Sequence, residues 1–198
     1  SDFDCSVISG MKQLSYLQIE TKTSIDLSQL NNLNTLITND IGTKGLPPNI
    51  QRLHLEDLIF QNGNMKRVCF PTSLKYLEIN RTNLTCLYGI PSNLQHLGIY
   101  YGRKLMSLDG LNSAMNSIEE LEISHCPQLT DYSHLKYCCH LQKIILIKSG
   151  NISSLSLLEN AKELKHLTLS GTYVTDKNLH YSKTIPYTYI TNRKYYEK

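Results

Sequence analysis

Six side chains between residues 125 and 140 form the densest group of metal-ligating types in the chain: His125, Cys126, His134, Cys138, Cys139 and His140. Imidazole and thiolate are zinc ligands, and a zinc site needs four of them converging at ~2.0–2.3 Å. Other chemistry leaves fainter traces. Gly42-Thr43-Lys44-Gly45 is a turn candidate and lacks the Gly-x-x-x-x-Gly-Lys frame of a phosphate loop. No His-Glu-x-x-His helix motif and no Gly-x-Ser-x-Gly elbow occurs. The seven histidines are dispersed, and none reads as carrying an acid or nucleophile beside it. These residues therefore predict no enzyme, no cofactor and no small-molecule substrate. Whether the histidine–cysteine set converges depends on the elements that carry it.

Those elements repeat. The phrase Leu-x-x-Leu-x-Leu recurs from Leu14, Leu33, Ile50, Leu74, Leu94, Ile118, Leu141 and Leu164, at steps of 19, 17, 24, 20, 24, 23 and 23 residues. Alternation within the phrase is the period-two signature of a strand, with the aliphatic residues inward and the intervening ones outward. Turn-forming stretches such as Gly45-Leu46-Pro47-Pro48, Phe70-Pro71-Thr72-Ser73, Gly89-Ile90-Pro91-Ser92 and Asp109-Gly110-Leu111 separate the copies. One repeat cannot bury its apolar edge alone, so neighbours stack.

A period of 20 to 29 residues carrying this phrase is the mark of leucine-rich repeats, and the chain resembles that superfamily over most of its length. The resemblance implies an α/β leucine-rich-repeat solenoid. It would be a segment of a curved right-handed horseshoe, with a parallel sheet on the concave face and short helices, 3-10 turns and loops on the convex face. Residues 1–13 are expected to form an N-terminal cap helix or the end of an upstream repeat. Residues 14–174 would hold about eight repeats, and residues 175–198 a C-terminal cap with a polar tail. The copies at LPPNIQRLHL, FPTSLKYLEI and IPSNLQHLGI, each led by proline, resemble repeats of bacterial effector proteins and of amoebae. The later run Leu121-x-Ile123-x-x-Cys126-x-x-Leu129-Thr130-Asp131 resembles the cysteine-containing repeats of F-box substrate receptors, although Thr172 stands in the cysteine slot of the last repeat.

In this frame Cys126 points inward, His125 faces the concave side, and the other four candidate ligands ride on a return segment. The six are then not expected to meet, and no metal site is predicted. That return segment, from Tyr132 to Tyr137, is expected to be helical with Asp131 or Ser133 near its cap. The six cysteines are irregularly spaced, which predicts free, buried thiols and a reducing compartment, cytoplasmic or nuclear, with delivery into a host cell and a secreted form also open. The sequons at Asn80, Asn83 and Asn151 read as ordinary surface positions.

The outward slots are where a partner would be met. Glu20, Asp40, Glu56, Asp57 and Glu78 place negative charge along the first half of the face, with Glu122 further on. Tyr76, His96, Tyr100 and Tyr101 form a central aromatic group, followed by Ile145 and Ile147. Aromatic anchors ringed by polar groups are the usual makings of an interface hot spot, and an acidic stripe steers a partner with a basic or mixed surface. The expectation is a non-catalytic adaptor or inhibitor, monomeric alone, that binds one folded protein. The F-box ubiquitin-ligase substrate receptor is the alternative. A net charge of +3 over 198 residues is no nucleic-acid signature, and the basic tail (Lys183, Arg193, Lys194, Lys198) reads as solvated. No apolar run reaches membrane-spanning length.

At the ends, Phe3, Val7, Ile8 and Met11 are spaced for one helical face, and Ile185, Tyr187, Tyr189 and Ile190 predict a ninth, degenerate strand.

Overall fold

The computed structural model describes residues 5–22, 24–41, 45–191 and 195–196. Among these residues nine short strands follow one another: β1 (Tyr16–Ile19), β2 (Thr35–Thr38), β3 (Arg52–Glu56), β4 (Tyr76–Asn80), β5 (His96–Tyr100), β6 (Glu120–Ser124), β7 (Lys143–Ile147), β8 (His166–Ser170) and β9 (Tyr187–Ile190). They pair in parallel, in strict chain order, as one open sheet. Every strand therefore contacts only its sequence neighbours, the quasi-one-dimensional order of a stacked repeat. The expected ninth strand is present as β9.

Register follows from the phrase. Leu17, Leu36, Leu53, Leu77, Leu97, Leu121, Ile144 and Leu167 lie side by side across β1 to β8. From Leu36 to Leu167 all of them are fully buried, each contributing about 1.5–3 kcal/mol of apolar burial. Leu17 is only partly buried, because β1 has a paired strand on one side alone.

The return segments carry 3-10 turns at Cys5–Gly10, Gln61–Gly63, Leu111–Ala114, Ser133–Tyr137, Leu155–Leu158 and His180–Thr184. No α-helix occurs among the described residues. With repeats near twenty residues and about five spent on each strand, too few remain for several helical turns. A 3-10 turn covers ~2.0 Å per residue and closes the loop with less chain. At the expected helix the Asp131 carboxylate accepts the Ser133 N–H at 2.9 Å. At the amino-terminal turn only part of the proposed face is inward: Ile8 is buried, whereas Val7 and Met11 are exposed. Phe3 lies outside the described residues, as do Gly42, Thr43, Lys44, Arg193, Lys194 and Lys198. Among the described residues, no helix is long and apolar enough to cross a membrane.

The rungs from β3 to β8 end in a left-handed residue. Asp57, Arg81, Tyr101, His125 and Lys148, one residue beyond five successive strands, all have positive φ between 45° and 56°. Gly171 fills the same slot after β8 with φ 66°. From Asp57 to Lys148 the backbone N–H of each donates to the carbonyl of the last strand residue in the next rung, at 2.7–3.0 Å. Five bonds from neighbouring repeats thus hold non-glycine residues in a conformation that normally disfavours them. Lys148 is exposed, so it isolates the backbone effect. Lys148→Val is expected to lower stability by about 1–3 kcal/mol, while Lys148→Gly is neutral or slightly stabilising. Urea midpoints of the two variants against the parent measure this; equal midpoints would remove the strain argument.

Beneath that column runs a line of small buried residues: Thr82, Gly102, Cys126, Ser149 and Thr172. Their polar atoms are spent on backbone. Ser149 accepts from the Cys126 N–H and donates to Ile123 O, and Thr172 accepts from Ser149 N–H and donates to Ser149 O.

Candidate functional site

The open face of the sheet is built from the alternate residues left over by the ladder. Register places Glu78, Gly98 and Glu122 abreast on β4, β5 and β6. Gly98 is the key to the arrangement. A Cβ there would lie 2.8–2.9 Å from the Tyr100 ring and hydroxyl and 3.0 Å from Glu78 Cγ. The missing side chain lets Tyr100, two residues on, fold back along its own strand and lie over the gap. Its hydroxyl then stands between two carboxylates, 3.1 Å from Glu78 Oε1 and 3.0 Å from Glu122 Oε2.

From there the contacts close on themselves. Glu122 Oε1 takes a bond from Lys143 Nζ at 2.6 Å. Lys143 Nζ is 3.7 Å from Glu120 Oε2, which lies 3.1 Å from His96 Nδ1. His96 Nε2 in turn lies 3.7 Å from Glu78 Oε1, a charge contact too long for a hydrogen bond. Tyr76 donates its hydroxyl to Glu78 at 2.7 Å and stacks on His96 with ring centroids 3.9 Å apart. Arg52 caps the other side of Tyr76 at 4.7 Å. His54 Nδ1 meets Glu78 Oε2 at 2.9 Å.

Electrostatics follow from these contacts. The His54 hydrogen bond, helped by the Tyr76 hydroxyl, holds the Glu78 carboxyl well below the usual carboxylate range. Reciprocally, the Glu78 bond raises the His54 imidazole above its ordinary value. Burial, then the adjacent Glu78 and Glu122 charges, pushes the Tyr100 phenol upward, so it stays a proton donor. Burial does the same for Tyr76, ahead of its bond to Glu78. Lys143 is raised by Glu122.

The site residues read from sequence therefore divide. Tyr76, His96, Tyr100, Glu78 and Glu122 are brought together, but their polar atoms are largely committed to one another, and His96 is buried. Tyr101 is 46% exposed and stacks on His125 at 4.6 Å, so it is separate from Tyr100 and freer to meet a partner. Ile145 and Ile147 are half-buried and face outward beside Glu122 and Ser124.

The acidic stripe needs correction. Glu56 and Asp57 both pair with Arg81, at 3.0 and 2.6 Å. Asp40 accepts from Ser24 Oγ and the Ile25 N–H. Register lays cations and carboxylates side by side, so the face is mixed in charge. The reading that no histidine carries an acid partner is also overturned: His54, His96, His134 and His140 each approach a carboxylate within 3.2 Å.

The histidine–cysteine set does not converge. Cys126 is buried under the sheet and Cys138 under its own turn, while Cys139 and His140 are exposed. Only part of the expectation of buried thiols holds, because Cys69 and Cys139 are exposed and Cys86 is half-buried. Cys69, Cys86, Cys126, Cys138 and Cys139 are all free. Burial pushes the Cys126 thiol up to about 11 and the Cys138 thiol up to about 12, which keeps both protonated and poor as nucleophiles. Asn83, in one of the sequons, spends its side-chain amide on the Phe60 backbone.

No protein-family model matches the chain, and a search of curated proteins finds no match.

Proposed function

We propose that this chain is a leucine-rich-repeat interaction module that binds a folded protein partner on the concave, open face of its sheet, without catalysis, to recruit or inhibit it. The supporting observation is the in-register face itself. Nine parallel strands at ~4.8 Å spacing make a wall about 38 Å long, long enough for the ~800 Å² that one side of a standard interface buries. The closed circuit around Tyr100 fixes the middle of that wall before any partner arrives, which lowers the ordering cost of association. Tyr101, Ile145 and Ile147 supply apolar contacts beside it. A partner of mixed surface charge suits the interleaved cations and carboxylates better than a purely basic one. The F-box substrate-receptor reading is the alternative, and the buried Cys126 heading the Ser149 and Thr172 line is the observation that favours it.

Affinity capture with matched variants tests the reading. Tyr101→Ala with Ile145→Ser alters the open face; Tyr88→Ala with Tyr137→Ala alters exposed tyrosines on return segments. The expected result is a protein retained by the parent and the second variant and lost from the first. Measured with that partner purified, affinity should fall at least about thirtyfold, the hot-spot threshold of ~2 kcal/mol. Equal capture by both variants, or loss from the second alone, would overturn the assignment.

A further inference from the structure

His134 does not join the cysteines, but it meets two carboxylates. We propose that Asp109, Asp131 and His134 form a site for one divalent ion of the zinc class, joining two adjacent return segments. Asp109 belongs to the segment between β5 and β6; Asp131 and His134 belong to the one between β6 and β7. One ligand atom from each lies within 4.8 Å of the other two.

Three observations converge on a cation. First, His134 Nδ1 is shielded from solvent and has no hydrogen-bond partner, although Asp109 Oδ1 is only 3.2 Å away. The two atoms are close but not aligned as donor and acceptor. That separation is what two ligands of one ion show: bonds of ~2.1 Å at 90–110° place the donor atoms ~3.0–3.4 Å apart. Second, among the described residues neither aspartate has a lysine or arginine ion pair, so two neighbouring negative charges stand with one imidazole between the segments. Third, Asp131 is already aimed. Ser107 Oγ donates to its Oδ2 at 3.0 Å and the Ser133 N–H to its Oδ1 at 2.9 Å. Outer hydrogen bonds of this kind orient a metal ligand. The backbones are pinned as well, with Ser107 bridged to Asp131 and the Leu108 N–H donating to Asp131 O at 3.0 Å.

One imidazole nitrogen and two carboxylate oxygens suit a borderline ion such as zinc, with water completing the shell. They are too few oxygens for calcium, which takes six to eight. The ion would act as a clamp between repeats, and its role is independent of the open face.

The test uses the full chain after chelator treatment and dialysis, titrated with Zn²⁺ by calorimetry and with Co²⁺ by absorption. One equivalent should bind at micromolar concentration, and Zn²⁺ should raise the thermal midpoint. Asp109→Asn, which preserves shape, and His134→Ala should each weaken affinity at least about tenfold and abolish the midpoint rise. Ser107→Ala should weaken it less. The Co²⁺ complex should show visible ligand-field bands without a thiolate charge-transfer band. Absence of stoichiometric binding, binding unchanged by Asp109→Asn, or a thiolate band indicating cysteine ligation would each overturn the proposal.

Discussion

Gly150→Ala is expected to cost about 3 kcal/mol or more, the upper range for overpacking. A Cβ at Gly150 would overlap the Leu129 carbonyl oxygen and crowd the Leu129 carbonyl carbon at 2.6 Å. Both are backbone atoms, which cannot rotate aside as a side chain does. The same residue joins two repeats, because its N–H donates to Cys126 O at 3.0 Å and its carbonyl accepts the hydroxyl of buried Tyr132. Relieving the clash means pulling apart the rungs of β6 and β7, with both bonds lost. In a stack where each repeat leans only on its neighbours, the damage falls at one junction, so the two halves should also uncouple. Urea unfolding should show a lower midpoint together with a shallower transition. Gly10→Ala is the control: nothing lies within 4 Å of that Cβ, and its midpoint should stay within about 0.5 kcal/mol of the parent. A Gly150→Ala midpoint equal to that control would show that the close approach does not exist.

The second large effect lies on the open face. Glu78→Ala removes the acceptor for His54, Tyr76 and Tyr100 together. Hydrogen bonds to a charged group are worth about 1.5–3 kcal/mol, and with Glu78 only 19% exposed little water takes its place. A loss of about 3 kcal/mol near pH 6 is expected, and it should depend on pH in two directions. The folded-state pKa of Glu78 is depressed, so its contribution is present above the ordinary value of 4.5 and is lost as pH falls toward the folded value. The folded-state pKa of His54 is raised, so its contribution is full below 6.5 and is lost as pH rises through the folded value. The pair therefore stabilises most between those limits. Urea midpoints from pH 4 to 8 should be bell-shaped in the parent, flattened on the alkaline side in His54→Gln, and flattened on both sides in Glu78→Ala. A parent profile identical to that of Glu78→Ala would show that the bonds contribute nothing.

The ladder was legible in sequence because one strong signal, aliphatic residues at period two within a twenty-residue repeat, sets strand position and register together. Leu53, Leu77, Leu97, Leu121 and Leu167 needed nothing else. The arrangement above the sheet was less so. Glu78 and Glu122 could be placed in one slot two rungs apart, but the meeting of both with Tyr100 depends on a rotamer that only an absent side chain allows. Gly98, flanked by two glutamates in the same slot, was the available signal. The acidic stripe misled because a slot-by-slot reading counts charges within a column, whereas Arg81 neutralises Asp57 and Glu56 from the next rung. The Asp109, Asp131 and His134 group escaped notice because its members sit in return segments of different length, where the repeat fixes no alignment.

The column of left-handed residues has a further consequence. Its backbone turn is set by bonds from adjacent rungs rather than by the chemistry of the residue that makes it. Aspartate, arginine, tyrosine, histidine and lysine already occupy five consecutive places there without disturbing the strands beneath. That edge is an alphabet open to exchange, from which valine, isoleucine and threonine are barred by their branched β-carbons. Under the proposed binding role, divergence in specificity should accumulate along that one line first, written in long or flat side chains, while the scaffold behind it stays still.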